Sequence, residues 1–312
     1  MDVVTLGEAL VAIRAHGRLA LADPLHASPA GAEMNVAIGL SRLGHRAAWV
    51  GVLGADPAGD LVARTLRAES VDIGGVRRDE SAPTGLMLVD MPAALAPTVT
   101  YHRRASAGSR LSPADVVPLA ATAARIWHLS GITPALSESA HAATAAAFEV
   151  ARETSALVSF DVNYRGKLWD RAAAAAALAP LARRADIVVA SEDELDLVAD
   201  GVNEAERVAR LLDAGVREVV VKRGIHGATL FDVGGAVSCP AHAITQVNSI
   251  GAGDAFTAGY LSGVLDDLPV AQRLHRGALC GALAVSGAGD WEQAPTRADL
   301  ALLEAASGDA VR

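Results

Sequence analysis

Cysteine is almost absent from this 312-residue chain. Cys239 and Cys280 stand 41 positions apart with no Cys-x-x-Cys spacing and no Cys/His cluster, which argues against a disulfide framework and a structural zinc site. A reducing cytoplasm is the expected compartment. Aromatic residues make up only 4% of a chain that is 51% apolar, so the core must be built mainly from Ala, Val and Leu. No apolar run reaches membrane-spanning length, because Asp, Arg, Gly or Pro interrupts each candidate, and Met1-Asp2-Val3-Val4 does not begin a secretory leader. Positive charge is short: 27 Lys and Arg against 36 Asp and Glu leave a net charge of -9, which excludes nucleic-acid binding by general attraction. Any anionic ligand must be held locally. Two common nucleotide-binding devices are missing as well. Gly166-Lys167 runs into Leu168 rather than Ser or Thr, and no Gly-x-Gly-x-x-Gly follows the first strand.

Short β-branched runs alternate with longer Ala- and Leu-rich segments, the pattern of a doubly wound, mostly parallel α/β sheet flanked by helices. Strands are expected at 3–6, 48–53, 126–129, 157–160, 187–189 and 218–222, and helices at 33–43, 59–68, 113–120, 138–152, 171–182 and 204–213. Ser112-Pro113-Ala114-Asp115 is a good helix start, with a cap, a proline at the first position and an acid near the positive end. Two stretches, at about 10–29 and 83–104, carry no helical period, and the second reads as strands 84–90 and 98–103 around a Pro-bearing turn. They are expected to form a small β-sheet lid inserted into a single domain that spans 1–312.

The sharpest chemical signal is Asn248-Ser249-Ile250-Gly251-Ala252-Gly253-Asp254, followed by an apolar helical run. Small residues let the backbone approach a ligand, and the free N–H groups that open a helix bind anions, of which phosphate is the obvious one. Asp254 in that first turn would sit beside the phosphate, where it could accept a proton from an attacking hydroxyl. The plain alternative is a tight turn with an acid complementing the helix dipole. The chain supplies a control: Gly287-Ala288-Gly289-Asp290 repeats the four letters, but Pro295 prevents an apolar helix from starting there, so this copy reads as a loop after a helix.

A second glycine-bearing stretch, Ala30-Gly31-Ala32-Glu33-Met34-Asn35-Val36-Ala37, runs into a helix that ends Arg42-Leu43-Gly44. Together with the Gly251–Asp254 helix start about 220 residues later, it resembles the two signatures of the ribokinase-like (PfkB) carbohydrate kinases, over essentially the whole chain. The resemblance implies a ribokinase-like fold with a lid, and transfer of the γ-phosphoryl of ATP, with Mg²⁺, to a sugar hydroxyl. It also implies that Asp254 is the base, kept ionised by the helix start, and that Gly251, Ala252 and Gly253 form an anion hole. Thr100–Ser109, Asp161–Trp169 and Gly289–Glu292 are similar to the corresponding stretches of 2-keto-3-deoxygluconate kinases. That substrate carries a carboxylate, which Arg grips in a two-point fork. The match gives Arg165, Arg103 and Tyr101 to the substrate, with Gly31 and Asn35 in the pocket floor. Arg103 and Arg104 read equally as a solvated lid edge.

On the nucleotide side, Ser191-Glu192-Asp193-Glu194 resembles the family's Asn-x-x-Glu, whose glutamate organises Mg²⁺ and phosphate through water, although the same acids suit a helix start. Lys222-Arg223-Gly224-Ile225-His226-Gly227 resembles the turn over the ATP phosphates, and Ala278 falls in the adenine region; Lys222 could equally be a strand-end cation. Four positions depart from the family pattern. Asn248 replaces Asp at a monovalent-cation site, Ser191 replaces Asn, Met87 stands where deoxygluconate kinases often have Tyr, and Val162 replaces a frequent Pro. His128 reads as a satisfied strand residue, and Trp49 and Trp127 as core. The expectation is a kinase for 2-keto-3-deoxygluconate or a similar sugar acid. Fructose, ribose or 5-keto-2-deoxygluconate are the alternative substrates, and a silent sugar or nucleotide sensor is the rival class. An open small sheet tends to be paired, so a homodimer through the lid is also expected.

Overall fold

The computed structural model describes residues 1–15, 17–21, 24–90 and 98–309. Strand β1 (Val3–Leu6) leads into the antiparallel pair β2 (Leu10–Ala15) and β3 (Leu25–Ala30), then α1 (Ala32–Arg42), β4 (Ala47–Gly54), α2 (Pro57–Ala68) and β5 (Val76–Asp79). A second antiparallel pair, β6 (Gly85–Asp90) and β7 (Thr98–His102), precedes the short helix α3 (Pro113–Val116). The chain then alternates through β8 (Ile126–Ser130), α4 (Glu138–Glu153), β9 (Leu157–Asp161), α5 (Arg171–Ala182), β10 (Ile187–Ser191), α6 (Glu204–Asp213) and β11 (Glu218–Lys222). A hairpin of β12 (Ala228–Asp232) and β13 (Gly235–Cys239) follows, and then α7 (Ala252–Leu265), α8 (Val270–Ala284) and α9 (Arg297–Asp309).

Nine strands form one sheet in the order β13-β12-β11-β10-β9-β8-β1-β4-β5, parallel from β11 to β5 and antiparallel in the terminal hairpin. Strands buried on both faces read as unbroken apolar runs, and β1, β4 and β8 are buried at every position. The chain runs outward from β1 to β5 and then returns to β8, so the order reverses between β1 and β8. Ligands bind at the strand carboxyl ends beside such a reversal. Strands β3-β2-β6-β7 form a separate four-stranded sheet at that end. The Pro-bearing turn expected between β6 and β7, residues 91–97, lies outside the described residues.

Helix α7 is buried on nearly every side. At Gly259 a Cβ would lie 2.7 Å from Cys280 Sγ and 2.8 Å from the Arg276 carbonyl oxygen, so the small residue lets α8 close onto α7. The apolar run read after Gly251–Asp254 is therefore a core helix with its first turn at the surface of a cleft.

One expected helix is corrected. Residues 113–120 make an α-helix only to Val116 and then tighten into a 3₁₀ segment over Val117–Thr122. Pro118 has no N–H to donate, which ends the α ladder. The start of that helix is as expected: the Asp115 carboxylate accepts from the Ser112 N–H and O–H, both at 2.9 Å. The β12–β13 hairpin, β5, α8 and α9 carry sequence patterns too weak for the reading above to have separated them. Strand β13, for example, is exposed at four of its five positions and shows no alternation.

Candidate active site

The Gly251–Asp254 segment makes the helix start expected of it. Gly251 caps α7 with φ 82°, and a Cβ there would collide with the backbone of Asp290, so both the left-handed conformation and the contact require glycine. The N–H groups of the first helical turn have no intrahelical acceptors. Of these, the Ala252 amide makes a long turn bond, 3.4 Å, to the Ser249 carbonyl. Asp254 is 8% exposed and borders a cavity, and its Oδ2 accepts from Asn35 Nδ2 at 2.8 Å. The helix start does not hold this carboxyl low. Burial raises it to about 6, against the Asn35 hydrogen bond and the Arg165 charge, so it is still mostly ionised at neutral pH but binds a proton more readily than an ordinary aspartate.

Two cavities meet beside Asp254. The first, about 410 Å³, is lined mostly by small and apolar groups, among them Gly224, Ile225, Gly227, Phe256, Ala278 and Val285. The second, about 440 Å³, is polar and brings together Gly31, Asn35, Tyr101, Arg103, Arg165 and Asp254. Lys222, Ser249 and Gly253 line both. Ser191 borders the second cavity, apart from Gly224, Gly227 and Ala278, with which the sequence reading grouped it.

The cations are fixed by the strand ends. Lys222 closes β11, and its Nζ donates to both oxygens of Asp161 at the end of β9, at 3.0 and 2.7 Å. Burial opposes its charge, but Asp161 and Glu194 outweigh burial and raise the Lys222 pKa above the ordinary value. Glu194 joins two loops by accepting the Tyr164 amide at 2.7 Å and the Ser191 amide at 2.8 Å. Arg103 is not a solvated edge: its side chain is 12% exposed, its Nε lies 3.3 Å from Glu8 Oε2, and its guanidinium rests 4.8 Å from the Tyr101 ring centre. Arg104 is exposed. Arg165 is exposed at the cavity mouth and donates to the Tyr164 carbonyl at 3.1 Å.

Four acids at this end escaped the sequence reading as site residues. Glu8 follows β1, Asp161 ends β9, and both obey the strand-end rule that could have flagged them. Glu33, in the first turn of α1, accepts from Thr133 Oγ1 at 2.7 Å, and burial raises its carboxyl to about 7. Asp290, set aside with the second Gly-Ala-Gly-Asp, borders the polar cavity. Several buried polar atoms here have no hydrogen-bond partner: Glu33 Oε2, Asn35 Oδ1, and Arg103 Nε and Nη2. Buried groups of this kind are rare unless something else satisfies them, and a polar ligand would.

A carboxylate beside helix-opening amides, where an apolar cavity meets a polar one at the switch point of a doubly wound sheet, defines a group-transfer enzyme of ribokinase-like fold. Comparison with known proteins narrows this. The profile of the pfkB family of carbohydrate kinases matches residues 2–297, and the chain belongs to that family. It is 35% identical to 2-dehydro-3-deoxygluconokinase of Bacillus subtilis (strain 168), over 96% of this chain and 94% of that one. It is 33% identical to a fructokinase of Klebsiella pneumoniae, over 95% and 96%. An E. coli protein described as a ribokinase II, solved in complex with ATP and Mg²⁺, superposes with a TM-score of 0.91 at 25% identity, over 98% of this chain and 99% of that one.

Proposed function

We propose that the protein transfers the γ-phosphoryl group of ATP to the terminal hydroxyl of 2-keto-3-deoxygluconate or a closely similar sugar acid. The observation that carries this reading is the place of Asp254, bordering the polar cavity next to Gly253, which also lines the apolar one. ATP occupies the apolar cavity, flanked by Gly224, Gly227 and Ala278, and the sugar occupies the polar one. The sugar hydroxyl gives its proton to Asp254 as its oxygen attacks the γ-phosphorus. The bond from that phosphorus to the β–γ bridging oxygen breaks, and ADP leaves. Lys222 and the amides of Gly251, Ala252 and Gly253 face the developing charge, which is where most phosphoryl-transfer catalysis lies.

Both oxygens of Glu194 accept backbone amides and both of Asp161 accept from Lys222, and no cluster of three or more His, Cys, Asp or Glu among the described residues is arranged to hold a metal. Such residues fit a Mg²⁺ that arrives on the ATP phosphates and is reached from Glu194, next to Ser191, through water. Mg²⁺ neutralises charge on those phosphates when bound.

Arg103, whose buried Nη2 has no hydrogen-bond acceptor, and Arg165 at the cavity mouth support a carboxylate-bearing sugar. Tyr101 carries the Arg103 guanidinium, and Gly31 and Asn35 form the floor. Fructose is the second reading, favoured by Met87 in the cavity wall where a polar Tyr contact is missing. In the same proposal the small sheet is a lid, and two copies pair through it; sedimentation as a monomer would remove the pairing. The deciding experiment follows ADP release with a panel of sugars and sugar acids, before and after Arg165→Ala. The sugar acid is expected to give the highest kcat/KM, and the substitution to lower that value about 10–100-fold with a smaller effect on neutral sugars. A neutral sugar preferred by the parent selects the second reading. Absence of ADP release with every sugar leaves a sensor.

A further inference from the structure

The loop after α8 contains the second Gly-Ala-Gly-Asp, Gly287–Asp290, and it touches both halves of the molecule. Toward the small sheet, Asp290 Oδ1 accepts from Arg14 Nη2 of β2 at 2.6 Å, with the two side chains 4% and 5% exposed. Arg14 Nη1 donates to Ser28 Oγ of β3 at 2.7 Å, and Trp291 Nε1 donates to the Pro29 carbonyl at 3.0 Å. Toward the helix start, Asn248 Nδ2 donates to the Ala288 carbonyl at 3.1 Å, and the Asp290 backbone lies so close to Gly251 that no Cβ fits between them. Arg42 of α1 holds the far end, donating to the Glu292 and Ala294 carbonyls at 2.9 and 2.8 Å. The loop is thus a strap from the small sheet to the turn that opens α7.

We propose that Arg14 is a positioning residue for phosphoryl transfer: through Asp290 it seats the Gly287–Asp290 turn against Gly251, so the place of the small sheet sets the place of the helix-opening amides. This rests on the reading of Gly251–Asp254 as the transfer site, and it holds for whichever sugar the enzyme takes. A buried ion pair is weak evidence for added stability, because an apolar pair of similar volume often serves as well; what it fixes here is one arrangement of strap and turn. Burial drives the Asp290 carboxyl upward and Arg14 draws it back, so without Arg14 the acid has lost its main counter-charge. A displacement of about 1 Å at a reacting group costs about 10²-fold in rate, so the strap need yield only slightly for the effect to be measurable.

The test compares Arg14→Met, Arg14→Lys and the doubly neutral Arg14→Met/Asp290→Asn, with Asp254→Asn as reference. Neither Arg14 nor Asp290 borders the apolar cavity, so ATP affinity by calorimetry is expected within about threefold of the parent. At saturating sugar and ATP, kcat is expected to fall about 10–100-fold in Arg14→Met and to recover in part in Arg14→Lys. The doubly neutral variant leaves no lone buried charge. It should keep a thermal midpoint near the parent's and still lose kcat, and it decides the matter if Arg14→Met does not fold. A folded doubly neutral variant with kcat within about twofold of the parent overturns the proposal. A loss confined to the sugar KM overturns it too, since Arg14 would then shape only the sugar cavity. Full turnover by Asp254→Asn would instead sink the site reading itself, a result distinguishable from either.

Discussion

Helix α7 carries an aspartate at each end, and the two sit in contrasting surroundings. Asp254 lies in the first turn, where the helix dipole favours an anion, yet burial raises it to about 6. Asp266 follows the last turn, where the dipole disfavours an anion, yet it is lowered to about 2: its own burial is overcome by Arg297 and Arg276, which reach it at 2.8 and 2.6 Å. The dipole contributes about 0.3–1 kcal/mol, less than desolvation or a close pair of cations, and so it decides neither case. The rest of each end follows suit. At the amino ends of the strands Glu218 is paired with Arg273 at 2.8 Å and Asp186 with Arg217 at 3.0 Å. At the carboxyl ends Glu33, Asn35 and Arg103 keep buried atoms without partners. One end of the helix carries a paired, lowered carboxyl, and the other a buried carboxyl raised toward neutral pH.

Replacing each carboxyl by an amide breaks this comparison where it matters most. Asp254→Asn is expected to lower kcat by about 10²–10⁴-fold, the usual worth of a positioned general base, and to leave ATP affinity within about threefold of the parent. Asp266→Asn should change kcat by less than about threefold, since it touches neither cavity. An ADP-release assay at pH 8 reads both. Retention of more than about a tenth of kcat by Asp254→Asn removes it as the base.

The pH profile sharpens the same contrast. On the proposed mechanism transfer needs Asp254 ionised, and its carboxyl is raised to about 6, so kcat/KM should be flat above that pH and fall about tenfold per unit below it. Glu33, raised to about 7 by burial and further by the Asp254 charge, is mostly protonated and neutral where Asp254 titrates. Glu33→Gln should therefore leave the limb near pH 6, whereas a shift of about a unit would mean that Glu33 is charged while Asp254 titrates. An acid limb near pH 4, the ordinary aspartate range, would mean that the group controlling turnover is not the buried one.

Sequence reasoning reached the parallel sheet, because strands buried on both faces must be apolar throughout. It singled out the Gly251–Asp254 turn before an apolar helix, but the same letters suit a plain helix start, and only the family resemblance turned that segment into a proposed site. It did not reach β13, whose exposed face has no period, nor the tightening after Val116, where Pro118 outweighs a good capping signal. Within the site, the residues that follow a strand were accessible in principle. Glu33 and Asp290 were not, because their burial depends on Thr133 and Arg14, which are 100 and 276 positions away. The four letters at Gly287–Asp290 were judged by their own helix-forming power. Their placement against Gly251 is a tertiary fact that no local pattern announces.

The smallest expected effect is on stability, and it takes opposite signs at the two ends. A carboxyl raised in the folded state binds its proton more tightly there than in the unfolded chain, so Asp254 carries a penalty that is fully present above about pH 6 and gone below about pH 4. Asp254→Asn should therefore stabilise the fold by about 1–3 kcal/mol at pH 7 and by little at pH 4. Asp266 is lowered, so its contribution is present above about pH 4 and is lost as pH falls through about 2. Asp266→Asn should destabilise by about 1–2 kcal/mol at pH 7, after allowance for its partial exposure, with the difference closing toward pH 2. Urea midpoints of both variants at pH 4 and 7 measure this. Equal and same-signed changes would mean that the two carboxyls share an environment, and that the acid at the head of α7 is held for structure rather than for taking a proton.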